Sequence, residues 1–213
     1  MRTVLARVLG LFAVWMAVSG LAGRAERPFV PVFQTDFPDA MILYDGGTFI
    51  AYATNAQGDR ANVQVARSTD LVNWELVKNG DRLHDAMPVL PPWAGKGRTW
   101  APEGIKTATG YVLHFTAHEP KSDLQCLGAA FSTSPLGPFI STATKPLVCQ
   151  TELGGTIDSH PFRDADGSLY LYYKSDANNP RFGKKTDIFV QKMTPDALSV
   201  VGEPVALLRN DTE

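Results

Sequence analysis

The chain has 213 residues, with 20 Lys and Arg against 22 Asp and Glu and a formal net charge of −2. A balance this even, without a basic block, excludes nucleic acid as an expected partner. A hydrophobic content of 44% excludes a disordered chain.

The first element is "MRTVLARVLGLFAVWMAVSGLAGRA". Arg2 and Arg7 precede an apolar run from Val8 to Val18, and small residues follow as far as Ala25. This order predicts a secretory signal peptide over 1–25 and a secreted or periplasmic product. A membrane anchor is the competing reading. Ser19, Gly20, Gly23 and Arg24 break the run too early for a span, and no later run is long enough for one. No Cys follows the run, so a lipoprotein is not expected. About 188 residues remain from Glu26 onward, enough for one domain with its own core.

Three segments of that domain align. They are "FPDAMILYDGGTFIAYATNAQGDRANVQVARSTDLVNWEL", "WAPEGIKTATGYVLHFTAHEPKSDLQCLGAAFSTSPLGPF" and "IDSHPFRDADGSLYLYYKSDANNPRFGKKTDIFVQKMTPDALSV". Each opens on an acid: Asp39, Glu103 and Asp158, spaced 64 and 55 residues apart. A short strand follows, then a Gly turn ("DGG", "ATG", "ADG") suited to a hairpin. Next come an alternating aromatic strand ("TFIAYAT", "GYVLHFTA", "SLYLYYKS"), a polar loop and a third β run. A strand-rich repeat of this size predicts an all-β fold, with three four-stranded β-propeller blades over 30–210. An all-β sandwich is the alternative.

In a propeller the innermost strand of each blade lines the central channel. Acids at the starts of successive inner strands therefore converge on one pocket. Paired carboxylates across a pocket suit glycoside hydrolysis; the competing role for each is a turn cap. Trp74 is expected to pack under the next blade. Trp93, Trp100 and Phe37 could stack on sugar rings or serve blade packing. Glu103 and His160 are candidate substrate contacts, with turn or structural roles as alternatives. "DADG" at 164–167 begins like a calcium loop but lacks the rest, so a hairpin turn is the better reading. "NDT" at 210–212 is a glycosylation sequon only in a eukaryotic secretory setting. Cys126 and Cys149 are the only cysteines, and two in an exported chain often pair. Two buried thiols are the alternative.

"DFPDAMILYDGGTFIAYAT", "WAPEGIKTATGYVLHFTA" and "IDSHPFRDADGSLYLYY" resemble glycoside hydrolase family 43. The resemblance covers about residues 30–210. It implies a five-bladed propeller that hydrolyses arabinose- and xylose-containing plant cell-wall glycans (arabinan, arabinoxylan or xylan fragments) with inversion. It further implies Asp39 as general base and Asp158 as the residue that holds the general acid and raises its pKa. Many members have Pro where this chain has Ala40. No cofactor is required, a calcium ion in the channel is allowed as in some members, and a monomer is expected. The family's general acid is a Glu in a Glu-Gly-Pro or Glu-Ala-Pro context on the fourth blade. Neither tripeptide occurs here, and Glu213 precedes where it would come. Residues 26–213 are therefore expected to hold three of five blades of the catalytic domain and to lack the acid. A non-catalytic carbohydrate-binding propeller, or an inactive fragment, is the rival expectation.

Overall fold

The computed structural model describes residues 30–56 and 61–210. The expected signal peptide, Glu213 and the last two sequon residues lie outside them. The first sheet runs β1 (Met41–Asp45), β2 (Thr48–Ala53), β3 (Gln64–Ser68) and β4 (Glu75–Leu76), paired in that order. Its first hairpin is tight because Gly46 and Gly47 both take positive φ, 55° and 91°, as a two-residue loop between twisted strands requires. A small ribbon, β5 (Lys78–Asn79) and β6 (Arg82–Leu83), follows. The second sheet is β7 (Gly95–Lys106), β8 (Tyr111–Glu119) and β9 (Leu124–Ser132). The third is β10 (Thr156–Arg163), β11 (Leu169–Ser175), β12 (Asp187–Met193) and β13 (Val200–Arg209). All pairs within these sheets are antiparallel. The first strands β1, β7 and β10 are neighbours in space, so the sheets form an arc around their inner strands.

The predicted strands "FIAYAT", "YVLHFT" and "LYLYYK" thus take the second place in each sheet. The second sheet departs from the expected four strands. Isolated bridges from Leu127 to Val148 and from Phe131 to Ile140 replace a continuous outer strand. Cys149 follows the first of these bridge points and is bonded to Cys126 on β9, with Cα atoms 4.8 Å apart. The "DADG" segment forms the turn between β10 and β11, closed by Gly167 N–H donating to the Asp164 carbonyl at 2.9 Å.

Burial follows position in the arc. In β11 burial alternates: Leu169, Leu171 and Tyr173 face the second sheet, and Tyr170, Tyr172 and Lys174 do not. In β8 both faces are buried, because the sheet is flanked on both sides. Leu113 and Phe115 join Ile50, Tyr52, Val63 and Val65 on the first-sheet side, and Val112 joins Leu171 and Tyr173 on the other. The first two sheets approach closely at Gly104, where a Cβ would lie 2.8 Å from the Tyr52 ring. On the outer faces, Ile42 and Tyr44 of the first sheet and Phe162 and Ile188 of the third are exposed.

Trp93 is a core residue, stacked on Phe115 with ring centroids 6.1 Å apart. Trp74 does not pack beneath the next sheet as expected. It is half-exposed, outside both apolar clusters, with its indole N–H on the Leu71 carbonyl at 3.0 Å. The cause is local. The Asp70 carboxylate accepts from Val72 and Asn73 N–H, curling the segment back on itself before the edge strand β4.

His114 on β8 ties the second and third sheets together. Its Nε2 lies 2.9 Å from the Ala197 carbonyl, so that nitrogen carries the proton, while buried Nδ1 has no partner among the described residues. Burial pushes its pKa down to about 4. The unfolded chain therefore takes up a proton near pH 6.5 that the folded one refuses until about pH 4. Stability is expected to fall by about 3 kcal/mol as pH drops through that window. His114→Leu should flatten this part of a urea-midpoint-against-pH curve; an unchanged slope would assign the loss elsewhere.

Candidate active site

One backbone device recurs in all three sheets. In β7 the register shifts between Trp100, opposite Thr116, and Glu103, opposite His114, so residues 101 and 102 face Phe115 alone. In β10 it shifts between Ile157, opposite Lys174, and His160, opposite Tyr172, so residues 158 and 159 face Tyr173 alone. At the first sheet Thr54 N–H donates to the Pro38 carbonyl at 3.1 Å, and the next pair is Met41 with Tyr52. Residues 39 and 40 thus face Ala53. Each is a β-bulge, which bends a strand and re-aims a side chain. The first bulge residue has positive φ every time: 54° at Asp39, 37° at Ala101 and 55° at Asp158. Aspartate tolerates this region better than most residues, and its use at matching places points to function.

Backbone register does not equate the three acids. Glu103 is not the counterpart of Asp39 and Asp158; Ala101 is. Glu103 shares its register place with Met41 and His160, and its Oε2 lies 3.2 Å from His160 Nδ1 across the second and third sheets. Glu103 is partly buried, and that burial pushes its pKa up against the pull of His160.

Asp39 and Asp158 are both solvent-accessible. The Asp39 carboxylate accepts from the Thr54 hydroxyl at 2.7 Å, and Thr54 Oγ1 accepts from Ala101 N–H at 2.9 Å. The Asp158 pKa is raised, first by the protein around its carboxyl and then by the negative charges of Asp39 and Asp176, with Lys174 opposing. Asp39 therefore acts electrostatically on Asp158 from two sheets away. Trp100 is half-buried at the base of the second bulge, and half-buried Phe37 packs against Phe33 with ring centroids 5.0 Å apart. Thr54 and Lys174 were not singled out from the sequence. Among the described residues no group of three His, Cys, Asp or Glu side chains is placed to hold a metal.

Antiparallel sheets arrayed around their inner strands define part of a β-propeller. The chain belongs to glycosyl hydrolases family 43, whose sequence profile matches residues 29–213. It is 22% identical over 192 residues to an extracellular endo-α-(1→5)-L-arabinanase of Bacillus subtilis, covering 78% of this chain and 37% of that one. It is 30% identical over 174 residues to an arabinoxylan arabinofuranohydrolase of the same organism, covering 70% and 31%. The structure of a thermostable family-43 glycoside hydrolase superposes with a TM-score of 0.66 at 30% identity, covering 82% of this chain and 54% of that one. An endo-arabinase from Bacteroides thetaiotaomicron has the same fold, with a TM-score of 0.67 at 20% identity, covering 84% and 58%. The chain thus spans about a third of the length of these curated relatives and little more than half of these solved structures.

Proposed function

We propose that this chain carries the base-and-modulator half of an inverting glycosidase pocket acting on arabinose- or xylose-containing plant cell-wall glycans. The observation that carries this reading is the placement of Asp39 and Asp158 on equivalent bulges, near enough for one charge to act on the other. Asp39 takes a proton from the attacking water. Asp158 holds its negative charge near the acid and keeps that acid protonated. The acid that protonates the leaving oxygen comes from outside residues 30–210. Trp100 and Phe37 offer sugar-stacking surfaces, and the Glu103–His160 pair offers hydrogen-bonding groups at the same rim. The arabinanase and arabinofuranohydrolase names of the relatives support the substrate class, and the extracellular relative supports export.

The test follows product stereochemistry by proton NMR as the complete gene product cleaves arabinan, arabinoxylan and xylan. The expected result is release of arabinose- or xylose-containing sugars with inverted anomeric configuration, and no turnover by the 1–213 polypeptide alone. Retained configuration, turnover by 1–213 alone, or sugar binding without cleavage would overturn the proposal. The last outcome would mark a carbohydrate-binding propeller.

A further inference from the structure

The bulges give each sheet a matched pair of positions: the first bulge residue on the inner strand, and the second-strand residue that faces the bulge's base. Those pairs are Asp39 with Thr54, Ala101 with Thr116, and Asp158 with Lys174. Both sheets whose bulge bears an acid have at the second place a group that acts on a carboxylate. Thr54 donates a hydrogen bond to Asp39, and the positive charge of Lys174 acts on Asp158. In the middle sheet the bulge residue is Ala101, and the Thr116 hydroxyl is buried without a partner among the described residues. The same residue type at the same place therefore has no hydrogen bond where its sheet has no acid.

Thr54 is held from several sides. Its N–H donates to the carbonyl of Pro38, the residue just before Asp39. Its own carbonyl accepts from buried Gln64 Nε2 at 2.9 Å. Its Oγ1 accepts from Ala101 N–H, so the hydroxyl proton is left for Asp39 Oδ2. Branching at Cβ restricts χ1 further. That hydroxyl is the only hydrogen-bond partner of the Asp39 carboxylate among the described residues. An exposed aspartate held by one hydrogen bond at Oδ2 has its Oδ1 free for a water.

Resting on the reading of Asp39 as base, we infer that Thr54 is the positioning residue of that base. Its hydroxyl fixes the Asp39 carboxylate and couples it to the backbone of the second sheet at Ala101.

The test compares Thr54→Val, Thr54→Ser, Thr116→Val and Asp39→Asn in the complete gene product on an aryl arabinoside or xyloside, with binding of arabinobiose or xylobiose measured by calorimetry. Thr54→Val should lower kcat about 10- to 100-fold, the scale of a misplaced catalytic group, while KM and disaccharide binding stay within about twofold. Thr54→Ser, which restores the hydroxyl, should recover most of kcat. Thr116→Val should match wild type. If Thr54→Val does not fold, Thr54→Ala takes its place under the same criteria. Wild-type kcat in Thr54→Val beside an inactive Asp39→Asn would overturn this inference alone, as would a Thr54→Ser protein as impaired as Thr54→Val. Full activity in Asp39→Asn, or a wild-type protein that cleaves neither substrate, would overturn the reading of the base and this inference with it.

Discussion

Asp39→Asn is expected to remove hydrolysis of an aryl arabinoside or xyloside by a factor on the order of 10²–10⁴, the usual contribution of a general base. The substitution is nearly isosteric. An Asn carbonyl can still accept from Thr54, whose hydroxyl meets Oδ2 at 2.7 Å in the native chain, so the bulge and rim keep their shape. What is lost is the capacity to take a proton from water as it attacks. The effect should therefore fall on kcat, with KM close to its native value. Steady-state kinetics of the complete gene product would check this, and an Asn variant with more than a tenth of native kcat would show that another group takes the proton.

Asp158→Asn is expected to move the alkaline limb of the kcat/KM profile to lower pH by about one unit or more, the size of a like-charge effect between nearby carboxyls. A general acid works only while protonated. A negative neighbour disfavours its ionisation, so removing that neighbour lowers its pKa and ends activity at a lower pH. Asp158 must itself be ionised to do this. Its own pKa is raised by the surrounding protein, with Asp39 and Asp176 adding and Lys174 opposing. Its influence is therefore present above that raised pKa and fades as pH falls through it. An unmoved alkaline limb with a uniformly lower rate would make Asp158 a shape-holding residue instead.

The strands were legible from period-two alternation in "SLYLYYKS" and from the β-prone apolar run in "TFIAYAT", and "DGG" and "ADG" mark their hairpins. The two aspartates were legible because each opens a run of short strand, Gly turn and aromatic strand. The place of Glu103 was not. Alignment by residue type put an acid against the other acids, whereas backbone register equates Ala101 with Asp39 and Asp158. A bulge leaves no mark in composition, since it lies in how two residues share one partner. Thr54 was hidden for the same reason: 15 residues separate it from Asp39, and only the register brings them together. Trp74 misled because an aromatic after a Ser/Thr/Asp turn suggests packing, while the hydrogen bonds of Asp70 curl the segment so that the indole N–H meets the Leu71 carbonyl.

The middle sheet closes its outer edge unlike its neighbours. The others use the ladders of β4 and β13; this one uses two isolated bridges and the Cys126–Cys149 bond. Hydrogen bonds re-form in any compartment, but a disulfide persists only where thiols are not kept reduced. The integrity of that edge thus depends on the redox chemistry of the surroundings. In an oxidising medium the segment that follows β9 is covalently clasped to the sheet at Cys149, whereas in a reducing cytosol it would rest on its hydrogen bonds and on the burial of Phe139 alone.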